Sequence, residues 1–311
     1  MQTADAIPVP ISLSESPPSS LWRDALRHLF RKRSAIVGML LLGMLLVVAV
    51  FAPLIATHDP QQVLIGIENV KKRTPPCIHL LGCPADQPQH ILGVDGNVRD
   101  LFSRIMYGSR VSLFIGFSTV GFAIIIGNLL GAVAGYAGGW PDNIIMRFMD
   151  VLMAFPALLL AIAIVTVLGP GLINALLAIG IVSIPSYARV MRASVLSIKE
   201  QDYVTADRAL GVSSLRILLH RILPNALTPL IVRGTLGIAT AILDAAALSF
   251  LGLGAQPPMA EWGSMLGAER NQVFTAPHLV FFPGVAIMLT VLGFNLLGDG
   301  LRDALDPRLN R

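Results

Sequence analysis

Charge is what this sequence has least of. Only 14% of its 311 residues are Asp, Glu, Lys or Arg, while 54% are apolar. An ordinary soluble domain carries about a quarter charged residues, so that class is excluded, and the apolar fraction excludes a disordered chain. A protein that crosses a membrane several times remains. Cysteine is nearly missing too, and two residues cannot build a disulfide framework. Catalytic motifs are absent. No G-x-x-x-x-G-K-[ST] loop is there to cradle nucleotide phosphates, and neither H-E-x-x-H nor G-x-S-x-G occurs. The six histidines form no ligand set in the sequence, so no metal is expected. The net charge of +4 is read as membrane topology rather than as affinity for nucleic acid. A chain of this kind forms a path, and its energy comes from elsewhere.

Six apolar segments read as transmembrane helices, each span needing about 20 residues where it crosses fully. The fold class is thus an all-α membrane protein with cytoplasmic N- and C-termini. Residues 1–33 form a cytoplasmic tail, Pro/Ser-rich at first and then a basic amphipathic helix from Leu21. Residues 34–57 are the first span, a retained anchor, since no A-x-A-like site ends a short apolar core. Arg31, Lys32 and Arg33 hold its start inside. An extracytoplasmic loop, 58–108, follows, and then a core of five spans over 109–303. The second span, 111–134, carries Gly127, Gly131 and Gly135, a small-xxx-small face for close helix packing. Residues 135–142 are a tight turn. In the third span, 144–168, Arg147 and Asp150 are expected to pair at i, i+3, and Pro156 to kink the helix. The fourth, 172–188, is broken by Pro185. The fifth and sixth are 227–253 and 284–297, and 304–311 is a cytoplasmic tail.

Three readings compete for Cys77 and Cys83 in the outer loop: a local disulfide, a Cys/His metal site with His79 and His90, and free thiols. The disulfide is preferred, because the spacing matches no standard zinc pattern. Asp244, near the middle of the fifth span, is a functional candidate on physical grounds. It either lines a translocation path, as does the candidate Ser249, and meets a cationic group, or makes an interhelical hydrogen bond. Arg233 lies about 16 Å away along the helix and is not its partner.

The one long polar interruption in the second half is 200–225, EQDYVTADRALGVSSLRILLHRILPN. It reads as two short helices broken at Gly211, a natural C′ residue. Ser213 and Ser214 can cap the second, and Pro224 suits the first turn of the next helix. The small Ala206 and Ala209 allow another surface to approach closely, so the pair can dock into a partner groove.

The pattern Ala206-x-x-Ala209-Leu210-Gly211, then Arg221-Ile222-Leu223-Pro224, resembles the "EAA" loop of ABC-importer permeases. Thr205 stands where that family usually has glutamate, and Asp207 where it has alanine, which moves the carboxylate by about 3 Å. Three further stretches resemble the C-type permeases of the dipeptide/oligopeptide branch: residues 92–113, with Val98 in place of a glycine before Arg99-Asp100; Ala247-Leu-Ser-Phe-Leu-Gly-Leu-Gly254 with Glu261-Trp262-Gly263; and the tail from Gly298 to Leu309. The resemblance implies a type I ABC-importer permease fold in the cytoplasmic (inner) membrane. It implies a coupling surface of Tyr203, Thr205, Ala206, Asp207, Arg208, Ala209, Leu210, Gly211, Leu223 and Pro224. The implied partners are a homologous second permease, two ABC ATPase subunits carrying ATP and Mg, an extracytoplasmic substrate-binding protein and membrane lipid. The implied cargo is peptide, with nickel or glutathione as alternatives. An ion-gradient-driven secondary transporter is the rival of another class, but it needs a relay of intramembrane acids.

Overall fold

The computed structural model describes residues 27–305; residues 1–26 of the expected 1–33 tail and 306–311 of the expected 304–311 tail lie outside the described residues. The helices are α1 (Arg33–Ile55), α2 (Leu101–Ala137), α3 (Gly139–Met153), α4 (Ala157–Leu168), α5 (Leu172–Lys199), α6 (Asp202–Ala209), α7 (Ser214–Ile217), α8 (Leu223–Phe250), α9 (Trp262–Glu269) and α10 (His278–Leu305). Among the described residues, five helical runs are long and apolar enough to cross a membrane, with α7 and α8 forming one of them, and α3 with α4 makes a sixth as a bent pair.

The helix ends assign the two faces of the bundle. Lys32, just before α1, pairs with Asp303 near the end of α10. Thr57 and His58, just past α1, reach Ser103 at the start of α2. Lys199, the last residue of α5, donates to Gly135 O at the end of α2. One end therefore carries the start of α1, the end of α10, the α2–α3 turn and segment 200–222. The other carries loop 56–100, and there Gly171 N donates to Leu253 O. The bent pair α3–α4 starts at the first end and finishes at the second, so it crosses as one span.

Helix α2 is the centre of packing. Its glycine face lies on α5: a Cβ at Gly127 would meet Tyr187 Cβ at 2.7 Å, and at Gly135 Arg192 O at 2.9 Å. Helices held this close gain dispersion contacts, the main association force where lipid is as apolar as the side chains. The bundle closes through α1 on α10, α10 on α8, and α8 on both α2 and α5.

Several local expectations are corrected. The third span is not a kinked helix but an elbow of 90° at 154–156. Asp150 pairs with Arg189 of α5 at 2.6 Å rather than with Arg147. Pro185 does not break the fourth span; it sits inside a continuous α5 that runs on to Lys199. The second span starts earlier, at Leu101, because Asp100 caps it by accepting from Ser103 N at 2.8 Å. The sixth is longer, with the residues from Gly298 to Leu305 still helical. Val98, where a glycine is expected, adopts φ 58°. That conformation costs about 1–2 kcal/mol, and burial of the valine beside Leu64 and Val94 offsets it.

Candidate functional site

The polar interruption folds as a hairpin on the face that carries both ends of the described chain. Helix α6 ends in a glycine-centred turn: Gly211 has φ 76°, Val212 N donates to Asp207 O at 3.1 Å, and Gly211 N donates to Arg208 O at 3.0 Å. These are the two bonds of a Schellman motif, which satisfies the carbonyls that a helix end leaves unpaired. Val204 alone anchors α6, fully buried. Tyr203, Thr205, Ala206, Arg208, Ala209, Leu210 and Gly211 are exposed, with Leu210 at 80%. Asp207 is turned inward and accepts from Arg221 Nε at 2.7 Å, tying the two arms together. The carboxylate that departs from the family pattern thus has a partner within the loop.

The second arm corrects the reading of two separate short helices. Ser213 occupies the N-cap position but makes no side-chain capping bond. Helix α7 then passes through a π-helical turn, Leu218–Ile222, directly into α8. Leu223 N donates to Leu218 O, a bond one residue wider than in an α-helix. Pro224, exposed in the first turn of α8, has no N–H to give, and the widened turn accommodates it. Leu223 is half-buried, while Ile217 and Ile222 are buried in the main core. The second arm of the hairpin and the fifth span are therefore one continuous rod, 214–250.

That rod lines the intramembrane cavity. A space of about 360 Å³ lies between the α3–α4 elbow, α5 and α8. Phe155 and Ala157 come from the elbow, Ser183 and Ser186 from α5, and Arg233, Thr240 and Asp244 from α8. Irregular backbone at membrane depth is tolerated where it borders such a cavity. Arg233 Nε donates to Ser186 Oγ at 2.9 Å. Asp244 has no hydrogen bond among the described residues, so an interhelical bond within this chain does not account for it. Arg233 and Asp244 thus line the same cavity from one helix, separated along it and not paired with each other. Ser249 lies elsewhere. It is buried at 4% exposure and accepts from Ala255 N at 3.1 Å, closing the turn after α8.

On the opposite face Cys77 and Cys83 form a disulfide, with Cα atoms 5.4 Å apart. The expectation that no histidines cluster is corrected there. His58 and His90 meet beside Asp100, although sequence spacing gives no hint of it. Burial disfavours the charged imidazole of His90, but Asp100 and Glu68 outweigh that and raise its pKa. Burial likewise opposes ionisation of Asp100, yet hydrogen bonds from His90 and Ser103 bring its carboxyl below the usual range.

A bundle of six spans with a membrane-face hairpin continuous with a cavity-lining helix defines a permease. Comparison with known proteins agrees. Residues 127–311 match the family described as binding-protein-dependent transport system inner membrane component, and residues 20–76 match the N-terminal transmembrane domain of oligopeptide transport permease C. The chain belongs to this family of multi-pass inner-membrane permeases. It is similar to the dipeptide transport system permease protein DppC of Alkalihalophilus pseudofirmus, at 46% identity over 99% of each chain. The di/tripeptide permease DppC of Pseudomonas aeruginosa is 45% identical over 94% of this chain and 96% of that one. The glutathione permease GsiD of Pectobacterium atrosepticum is 43% identical over 93% and 91%. A chain of the MetNI methionine ABC transporter, in inward-facing conformations, shares the fold: the TM-score is 0.55 at 19% identity, covering 65% of this chain and 96% of that one.

Proposed function

We propose that this chain is one of a pair of homologous permease subunits in an ATP-driven importer of short peptides. The observation that carries the reading is the hairpin: an exposed α6 face, tied by Asp207 and Arg221 to a second arm that continues through the π-turn into the helix bearing Asp244 and Arg233. Two ATPase subunits, holding ATP and Mg, grip α6 from the cytoplasm. Arg189, Arg192, Lys199, Arg208, Arg216 and Arg221 crowd that end, as the positive-inside rule requires of a cytoplasmic face. A substrate-binding protein delivers cargo to loop 56–100 on the other face. Closure of the ATPases displaces α6, and the rod passes the displacement to the cavity wall, biasing a two-state bundle.

The cavity chemistry favours peptide. It offers one carboxylate, one guanidinium and several hydroxyls, which match the amine, carboxylate and amides of a zwitterion. A single carboxylate does not make the relay of acids that an ion-driven carrier needs. Among the relatives stand permeases named for dipeptides and for glutathione, and competition decides between the two cargoes. In proteoliposomes of the full complex, excess unlabelled dipeptide should suppress labelled dipeptide uptake more strongly than glutathione does. Asp244→Asn should impair uptake while the complex still co-purifies intact. Uptake of glutathione alone overturns the peptide assignment, and loss of assembly in Asp244→Asn returns Asp244 to a structural role between subunits.

A further inference from the structure

The histidine cluster on the face opposite the hairpin has no place in the transport mechanism above. It joins three segments. His58 follows α1, Glu68 and His90 come from the loop, and Asp100 caps α2. One donor atom from each of His58, His90 and Asp100 lies within 4.8 Å of the other two. His90 and Asp100 are almost completely buried, at 1% and 0% exposure.

The hydrogen bonds specify how the ring nitrogens are oriented. Glu68 lies across both Nε2 atoms, with Oε1 at 3.2 Å from His58 and Oε2 at 3.1 Å from His90. A carboxylate only accepts, so both Nε2 atoms carry a proton, and His90 Nδ1 carries one as well while it donates to Asp100 Oδ1; a bound metal takes the place of that Nδ1 proton. Those Nδ1 atoms face Asp100 Oδ1, at 3.8 Å from His58 and 2.9 Å from His90. The other oxygen of Asp100 is held by Ser103, whose N and Oγ donate at 2.8 and 2.7 Å. With the His90 Nδ1 proton displaced, two imidazole nitrogens and a carboxylate oxygen converge, each within 4.8 Å of the others, a spacing that a single cation can bridge. Thr57 Oγ1, 2.9 Å from His58 Nδ1, stands ready as a fourth oxygen or as the anchor of a water.

We propose that His58 Nδ1, His90 Nδ1 and Asp100 Oδ1 bind a divalent transition-metal cation of zinc type on the extracytoplasmic face. With bonds of about 2.0–2.1 Å, tetrahedral ligands stand about 3.3 Å apart. The observed separations bracket that value, so a small ring rotation completes the site. Imidazole with one carboxylate suits zinc and its neighbours rather than magnesium or calcium. Glu68 holds both rings in the tautomer that ligation needs, the usual partner of a metal-bound histidine. The metal fastens the end of α1 and the outer loop to the cap of α2.

The test uses the full chain, purified without a histidine tag, stripped with chelator, loaded with Zn²⁺ alone and freed of excess by dialysis. Elemental analysis should find one zinc per chain. His58→Ala and His90→Ala should lose it, while Glu68→Gln should weaken binding about 10- to 100-fold. Cys77→Ser should retain it, since the thiols are no part of the site. Co²⁺ in place of zinc should give a visible absorption band that vanishes in His58→Ala. Should the buried His90 variant fail to fold, His58→Ala carries the test alone, because that ring is less buried, at 20% exposure. No zinc in the wild-type chain, or equal zinc in the wild type and both histidine variants, overturns the proposal.

Discussion

Replacing Gly211 with valine perturbs the hairpin at its turn and nowhere else. No heavy atom lies within 4 Å of where a Cβ would stand, so the substitution creates no clash. The cost is conformational. At φ 76° an L side chain pays about 1–2 kcal/mol, and a β-branched one sits at the upper end. That energy lowers the ratio of native to relaxed hairpins about 5- to 30-fold. Asparagine tolerates the same conformation, so Gly211→Asn should recover most of the loss. The assay is uptake per ATP hydrolysed by the assembled transporter in proteoliposomes. Gly211→Val should keep ATP hydrolysis while uptake per ATP falls several-fold, and the transmembrane bundle should remain intact. A wild-type ratio in Gly211→Val, or an equal loss in Gly211→Asn, refutes the role of the turn.

Other substitutions probe the parts that hold the hairpin and cavity in place. At Gly131 a Cβ would stand 2.3 Å from Ala188 O, so Gly131→Leu must part α2 from α5; a loss of about 1–3 kcal/mol is expected in denaturation of the purified chain. Trp262 is buried at 1% exposure and donates from Nε1 to Ile105 O at 3.0 Å. Trp262→Ala should cost about 3–5 kcal/mol, read as a lowered thermal midpoint in detergent. Arg192 grips Asp142 through two bonds of 2.5 and 2.6 Å, fixing α3 to α5. A double-mutant cycle of Asp142→Asn and Arg192→Gln should give a coupling energy of about 1 kcal/mol.

The spans were legible because long apolar runs have one meaning in a chain this poor in charge. Their precise bends were not. Pro156 marks a discontinuity, but whether a proline kinks a helix or folds it through 90° depends on what fills the space beside it, here a cavity. Pro185 shows the converse: the helix continues through it, packed against α2 and α8. Arg147 and Asp150 satisfy a local pairing rule, yet Arg189 of α5 wins the aspartate, since tertiary neighbours compete with local ones. The break at Gly211 was readable from one residue, as only the left-handed turn asks for glycine there. The π-turn was not, because α and π segments share the same apolar spacing over a single turn. His58, His90 and Asp100 come together through folding of a loop without periodicity, and no sequence window contains them all.

The central claim is that this chain is a passive path worked through α6 by a nucleotide-driven partner. It is tested most directly by reconstituting the chain and its paired permease in liposomes, with and without the ATPase subunits, and following labelled dipeptide. Accumulation should require the ATPases, ATP and the binding protein together, and should vanish when Ala209→Glu places a charge on the exposed face of α6. Accumulation by the permeases alone under a proton or sodium gradient would contradict the account.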